Sequence, residues 1–339
     1  MPPGRVLFHY GWMNSAFHPQ SGPPIDLKYD VSDIYSLPAI QDNRRLACPS
    51  GRMAITNDNQ NMNLILQALH DIPSSQVEHL ARLSNAQRIE QVAPHLYRLR
   101  EAAPHANIAA YCLDNQLDYG FVPPDQHLSD FGLMVMDMDS TLISIECIDE
   151  IADMQGLKPQ VAAITESAMR GEIDFAESLR RRVGLLKGLD EGALLRVYDE
   201  RLKLNPGAEI MLAGLKRHGV KTLLVSGGFV FFTERLKARL GLDFAHANEL
   251  EIADGRLTGK VSGKIVDAQG KADWLNHVRE ELGLKQQQVI AMGDGANDLK
   301  MMAQAGVSIA YHAKPVVREH ASYSLNFVGL DGLVNLLDH

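Results

Sequence analysis

Two carboxylates one residue apart, Asp137 and Asp139, leave an apolar run at residues 133–136 in the stretch Asp137-Met138-Asp139-Ser140-Thr141. One such carboxylate can ligate a divalent cation and attack an electrophile, while the other carries a proton. A second polar stretch, Gly293-Asp294-Gly295-Ala296-Asn297-Asp298, follows the apolar run 289–292. Its glycines allow a sharp turn, and its oxygen-bearing side chains suit a hard cation, most naturally Mg²⁺. A third, Ser226-Gly227-Gly228, offers a hydroxyl and exposed amides to a phosphoryl oxygen. Each stretch alone also fits a plainer reading: an acidic turn after a buried strand, or a helix cap. Lys271 taken singly is an ordinary surface charge.

These groups meet only if the chain brings them together. Short apolar runs at 133–136, 221–225, 289–292 and 307–310 read as strands, and residues 206–218, 230–240, 271–282 and 298–305 as helices. Such alternation predicts a parallel sheet with helices on both faces, whose ligands bind at the carboxyl ends of the strands. Residues 249–252 and 257–261 flank Asp254-Gly255 and read as a hairpin. Residues 148–204 are helical in pattern throughout and read as an insertion after the first strand.

Proline and glycine divide the 339 residues near position 130: 12 of 15 prolines precede it, but only 5 of 27 glycines. The first segment is therefore dense in chain breaks, and residues 122–125 read as a linker. Its spacing predicts helices over 61–70 and 75–103, from Leu80, Leu83, Ile89, Val92 and Leu96, and a strand over 108–113. Its seven histidines form no H-x₃-H pair and read as surface or core residues.

With 45% hydrophobic and 22% charged residues the chain has the balance of an ordinary globular protein. The net charge of −9, from 33 Lys and Arg against 42 Asp and Glu, argues against broad nucleic-acid binding. No apolar run approaches the ~18 residues of a membrane span, and the N-terminus lacks the apolar core of a signal peptide. Cys48, Cys112 and Cys147 form no C-x-x-C pair and read as free thiols, consistent with a cytoplasmic protein.

In the order Asp137-x-Asp139-x-Thr141, Ser226-Gly-Gly, Lys271, Gly293-Asp294-Gly-x-Asn297-Asp298, residues 131–339 resemble the haloacid dehalogenase superfamily of phosphatases. More narrowly they resemble its phosphoserine phosphatase family, through Glu146-Cys-Ile-Asp-Glu150, Ala168-Met169-Arg170-Gly171, Phe175, Ser178-Leu-Arg-x-Arg182-Val183 and Ala310-Tyr-His-Ala-Lys-Pro315. The resemblance implies a Rossmann-like parallel sheet over 131–339, with a helical cap at about 147–204. It leaves 1–125 as a smaller α+β domain, for dimerisation or ligand sensing or as a packing appendage.

The resemblance also implies roles. Asp137 is the expected nucleophile and Asp139 the acid and base. Ser226 and Lys271 stabilise the transferring phosphoryl group. Asp137, the Asp139 carbonyl and Asp294 hold Mg²⁺, with Asp298 supporting them. Glu146 and Arg182 take the ammonium and carboxylate of O-phosphoserine. Met169, Phe175, Gly227 and Asn297 complete the substrate site. The expected activity is Mg²⁺-dependent hydrolysis of phosphoserine, the last step of serine biosynthesis, by a protein that is a candidate homodimer. Alternative readings are another small phosphomonoester, such as phosphothreonine, and a non-enzymatic binding protein on the same fold.

Overall fold

A computed structural model describes residues 62–338. Asn61, Cys48 and the proline-rich stretch up to Pro49 lie outside them. The first described elements are β1 (Met62–Gln67), α1 (Ser74–Leu83), β2 (Arg88–Ala93), β3 (Leu96–Ala102), α2 (Ala106–Asp114) and β4 (Asp118–Val122). The four strands form an antiparallel sheet in the order β2-β3-β1-β4.

This arrangement corrects three local expectations while keeping the α+β class. Residues 62–67 are a strand, not a helix. All six are buried, because the sheet is covered on both faces. Leu64 and Leu66 pack with Leu80, Ile108 and Cys112, whereas Ile65 joins the core of the larger sheet. A strand buried on both sides loses the alternation that would reveal it. Residues 75–103 are one helix and a hairpin. The helix stops at Ser84 and Asn85, the latter with φ +52°, and Ile89 and Val92 lie exposed on edge strand β2. Residues 106–114 are a helix, not a strand. Ile108 and Cys112 form its buried stripe, and His105 caps it by accepting from Asn107 N at 3.2 Å.

The larger sheet has seven strands in the order β11-β10-β9-β5-β6-β7-β8. They are β5 (Leu133–Met136), β6 (Lys221–Phe229), β7 (Phe244–Ala253), β8 (Arg256–Ser262), β9 (Val289–Gly293), β10 (Val307–Tyr311) and β11 (Tyr323–Leu325). All neighbours are parallel except β7 and β8, which form a hairpin. Helices α3 (Cys147–Asp153), α4 (Lys158–Met169), α5 (Phe175–Leu185) and α6 (Gly192–Glu200) follow β5, and α7 (Ala208–Arg217) leads into β6. Helices α8 (Val230–Leu240), α9 (Ala268–Glu281), α10 (Leu299–Met302), α11 (Pro315–His320) and α12 (Gly332–Leu337) complete the unit.

Strand parity divides the core. Leu133, Val135, Leu223 and Val225 face a cluster containing Leu275 and Val278 of α9. Met134, Met136 and Leu224 face the opposite cluster, with Met211 and Leu215 of α7 and Leu333 of α12. Among the described residues no helix is long and apolar enough to cross a membrane.

Buried Asp118, at the start of β4, ties the two sheets together. Its Oδ1 accepts from Asn326 N (2.7 Å) and Nδ2 (3.3 Å), and its Oδ2 from Phe327 N (2.8 Å) and Val328 N (2.9 Å). Gln67 adds a donation to Gly332 O at 3.2 Å and accepts from Asn335 Nδ2 at 3.1 Å. Asp118→Ala strands three backbone N–H groups at this junction. It should lower unfolding free energy by about 3 kcal/mol or more, read from urea denaturation.

Candidate active site

Parallel pairing of β5 with β6 on one side and β9 on the other brings three carboxyl ends to the centre of one sheet edge. Asp137 follows β5, Ser226 lies in the last part of β6, and Asp294 follows β9. Lys271 reaches them from the first turn of α9. That turn is anchored by Asp267 Oδ1, which accepts from Gly270 N at 2.8 Å.

Lys271 is buried with two acids. Its Nζ lies 2.8 Å from Asp137 Oδ1 and 2.7 Å from Asp298 Oδ1. Asp137 Oδ1 also accepts from Met138 N at 2.7 Å, and Asp298 Oδ2 accepts from Gly295 N at 3.1 Å. Gly293 is required here, because a Cβ at that position would strike the Asp298 carboxyl. Burial, reinforced by the Asp298 charge, pushes the Asp137 carboxyl well above the ordinary range, against the pull of Lys271. Burial alone would lower Lys271, but Asp137 and Asp298 outweigh it and hold the ammonium above the usual lysine value.

Asp139 is fixed through both oxygens. Oδ1 accepts from Cys147 N at 2.8 Å, and Oδ2 accepts from Ser226 Oγ at 3.1 Å. Ser226 Oγ in turn accepts from Gly228 N at 2.8 Å. This close approach explains Gly228: a Cβ there would sit 2.8 Å from Asp139 Oδ2 and 3.0 Å from Ser226 Oγ. Burial raises the Asp139 carboxyl above its ordinary value despite these donors. Between the acids and the cap, Ser140 has φ +57°, a left-handed conformation costing a non-glycine residue about 1–2 kcal/mol.

One carboxylate oxygen each from Asp137, Asp294 and Asp298 lies within 4.8 Å of the other two. Both Asp298 oxygens already have donors, so Asp137 and Asp294 are the carboxylates with capacity left for a metal ion. Asp294, half-buried, accepts from Thr141 Oγ1 at a long 3.4 Å. An all-oxygen donor set of this kind fits a hard divalent cation.

A cavity of about 530 Å³ opens above these groups and reaches under the cap. Asp137, Asp139, Ser226, Gly227, Lys271, Asp294 and Asn297 line its sheet side, and Glu146, Met169, Phe175 and Arg182 its cap side. Asp298 stands behind them. Glu146 sits at the rim, where water still reaches it. Crowding by protein, together with the Asp139 charge, nevertheless pushes its carboxyl up to about 7. Burial lowers the Arg182 guanidinium. Arg182 Nε donates to Ser178 O at 3.4 Å, and among the described residues no carboxylate lies within 4 Å of it. Asp149, Thr165 and Lys314 also line the cavity without having been singled out in the sequence. Of these, Asp149 and Lys314 lie inside stretches that carry the family resemblance.

Residues 134–303 match the family model for haloacid dehalogenase-like hydrolases, and residues 64–108 match a domain of unknown function, DUF4072. A phosphoserine phosphatase of Polaromonas is 55% identical over 219 residues, covering 63% of this chain and 93% of that protein. The solved structure of a probable phosphoserine phosphatase from Vibrio cholerae superposes with a TM-score of 0.73 at 40% identity, covering 81% of this chain and 86% of that one. A phospho-aspartyl intermediate analogue of phosphoserine phosphatase superposes at 0.58 with 38% identity, covering 61% and 99%. The chain belongs to the haloacid dehalogenase-like hydrolases. Its relatives within them are the phosphoserine phosphatases.

Lys271→Met leaves Asp137 and Asp298 buried without a counter-charge. The variant should lose about 3–5 kcal/mol of unfolding free energy, read by urea titration. Its phosphatase turnover should fall by about two to three orders of magnitude.

Proposed function

We propose that the chain is a metal-dependent phosphoserine phosphatase, releasing serine and phosphate through a phosphorylated Asp137. The observation that carries this reading is the cavity's polarity. One end holds Asp137, Lys271 and Ser226, suited to a phosphoryl group. The other holds a carboxyl group, Glu146, and an unpaired cation, Arg182. Phosphoserine carries a phosphate, an ammonium and a carboxylate, matching these ends. The relatives' activity supports the same assignment.

The residues have separable tasks. Asp137, held in place by Met138 N and Lys271, attacks phosphorus with a carboxylate oxygen. As that bond forms, the bond from phosphorus to the seryl oxygen breaks, and Asp139 donates its proton to the departing oxygen. Burial, which raises the Asp139 carboxyl, suits it to hold that proton beforehand. In the second step a water gives Asp139 its proton and bonds to phosphorus, and the bond to Asp137 breaks. Lys271 and the Ser226 hydroxyl stabilise charge on the equatorial oxygens, and Asn297 orients the group. Asp137, Asp294 and the Asp139 carbonyl would hold Mg²⁺, which when bound screens the anionic nucleophile from the anionic phosphate. Arg182 grips the substrate carboxylate with its planar fork, Glu146 takes the ammonium, and Met169 and Phe175 enclose the carbon skeleton.

The test is phosphate release from L-phosphoserine with and without Mg²⁺, for the wild type and Asp137→Asn, with phosphothreonine and an aryl phosphate as controls. Release should need Mg²⁺, favour phosphoserine and vanish in the variant. Turnover of the aryl phosphate but not phosphoserine would overturn the roles of Glu146 and Arg182. Arg182→Lys keeps the charge but loses the fork, and should raise KM for phosphoserine about tenfold or more while changing kcat little.

A further inference from the structure

Ser140 is absent from the reaction scheme above, yet it occupies an unusual position. It lies between Asp139 and Thr141 in the turn leaving β5, and its φ of +57° is one that glycine adopts without strain. The turn is held there from outside. Asn205 Nδ2 donates to Thr141 O at 2.8 Å and Ile143 O at 3.2 Å, with a longer contact of 3.4 Å to Ser140 O. Ser144 N donates to Lys203 O at 2.9 Å, tying the start of the cap to its end.

The consequence of the left-handed turn is where the side chain goes. Ser140 Oγ donates to Glu146 Oε1 at 2.8 Å, six residues further on, at the rim of the cavity. Glu146 has no cation within 4 Å among the described residues, and no other side-chain hydrogen bond steadies it. A glutamate at a water-washed rim, free to rotate about three torsions, is a poor receptor for an ammonium group. One with an oxygen pinned by a hydroxyl presents the other in a fixed direction.

We infer that Ser140 is a positioning residue for substrate selectivity: its hydroxyl orients Glu146 to receive the ammonium of an amino-acid phosphate. Glycine would relax the turn but forfeit the hydroxyl, so the strain is tolerated where the hydroxyl is needed. This inference rests on the assignment of Glu146 to the substrate's ammonium.

The experiment compares Ser140→Ala, which keeps the strained backbone, with Ser140→Gly, which relieves it. Both are assayed on phosphoserine and on 3-phosphonooxypropionate, which retains the phosphate and carboxylate but has no ammonium. Both variants should raise KM for phosphoserine about tenfold, the scale of a hydrogen bond to a charged group, with kcat within about twofold. Neither should change kcat/KM for the propionate ester by more than about twofold. Wild-type KM in Ser140→Gly would overturn the inference, because the backbone and not the hydroxyl would then matter. Equal losses on both substrates would overturn it too, by marking a general distortion of the turn. Ser140→Gly keeps the test decisive if the alanine variant folds poorly. Glu146→Gln separates the two levels. If it leaves phosphoserine KM unchanged, the assignment of Glu146 itself fails; if it raises KM while the Ser140 variants do not, only the role of Ser140 fails.

Discussion

The Lys271 ammonium, buried between Asp137 and Asp298, is the interaction around which the rest of the structure is arranged. Charges removed from water are tolerable only when paired and hydrogen-bonded on every side. Met138 N, Gly295 N and Lys271 meet that demand at Asp137 Oδ1 and at both Asp298 oxygens, and each comes from a different strand end or helix start. With all three groups ionised the triad carries one net negative charge. Asp294 adds a second at its open side, and that doubly negative corner is complementary to a divalent cation. A phosphate dianion approaching the same corner without such a cation would be repelled.

The sheet makes this possible by its order. With β5 between β6 and β9, the three polar stretches end within reach of one another although up to 157 residues separate Asp137 from Asp294. Each strand is short and buried on both faces, so its residues read as an uninterrupted apolar run with an abrupt polar end. That pattern made β5, β6, β9 and β10 legible in the sequence, while Asp254-Gly255 marked the β7–β8 hairpin; β11, three residues long, carried no such run and was not read. The same burial hid β1, where there was no polar cluster at the strand end to mark it. Spacing misled further between 75 and 103, since Ile89 and Val92 are apolar residues on an exposed edge and mark no buried helix face.

Legibility of the site divides along similar lines. Asp137, Asp139, Asp294 and Asp298 stood out because oxygen-rich stretches after strands are chemically suggestive by themselves. Lys271, Glu146 and Arg182 did not. Lys271 looks like any helix-surface lysine, and Arg182 belongs to a run of three arginines of which Arg180 and Arg181 are exposed. Only the family resemblance selected them. Ser140 lay beyond both kinds of reading, because its significance comes from a backbone angle fixed by Asn205, 65 residues away. Lys314 stands inside a stretch that carries the resemblance, but its place at the cavity depends on a loop whose course is set by β10 and β11.

That loop links the small sheet to Asp294. Asp118 holds the backbone of 326–328, and Val328 O is met by His312 Nε2 at 3.0 Å. His312 N donates to Leu325 O at 2.8 Å, and two residues later Lys314 N donates to Asp294 O at 3.0 Å. His312 has φ +43°, a strained value that these contacts enforce. The small sheet therefore braces the segment against which the Asp294 backbone rests. A carboxylate suited to a metal needs its backbone fixed to within a fraction of an ångström, and short strand-end loops seldom supply that stiffness unaided. Whatever else residues 62–122 do, their packing on β11 and α12 contributes rigidity to the Asp294 side of the cavity, while the cap remains attached through a separate set of contacts at Asn205 and Lys203.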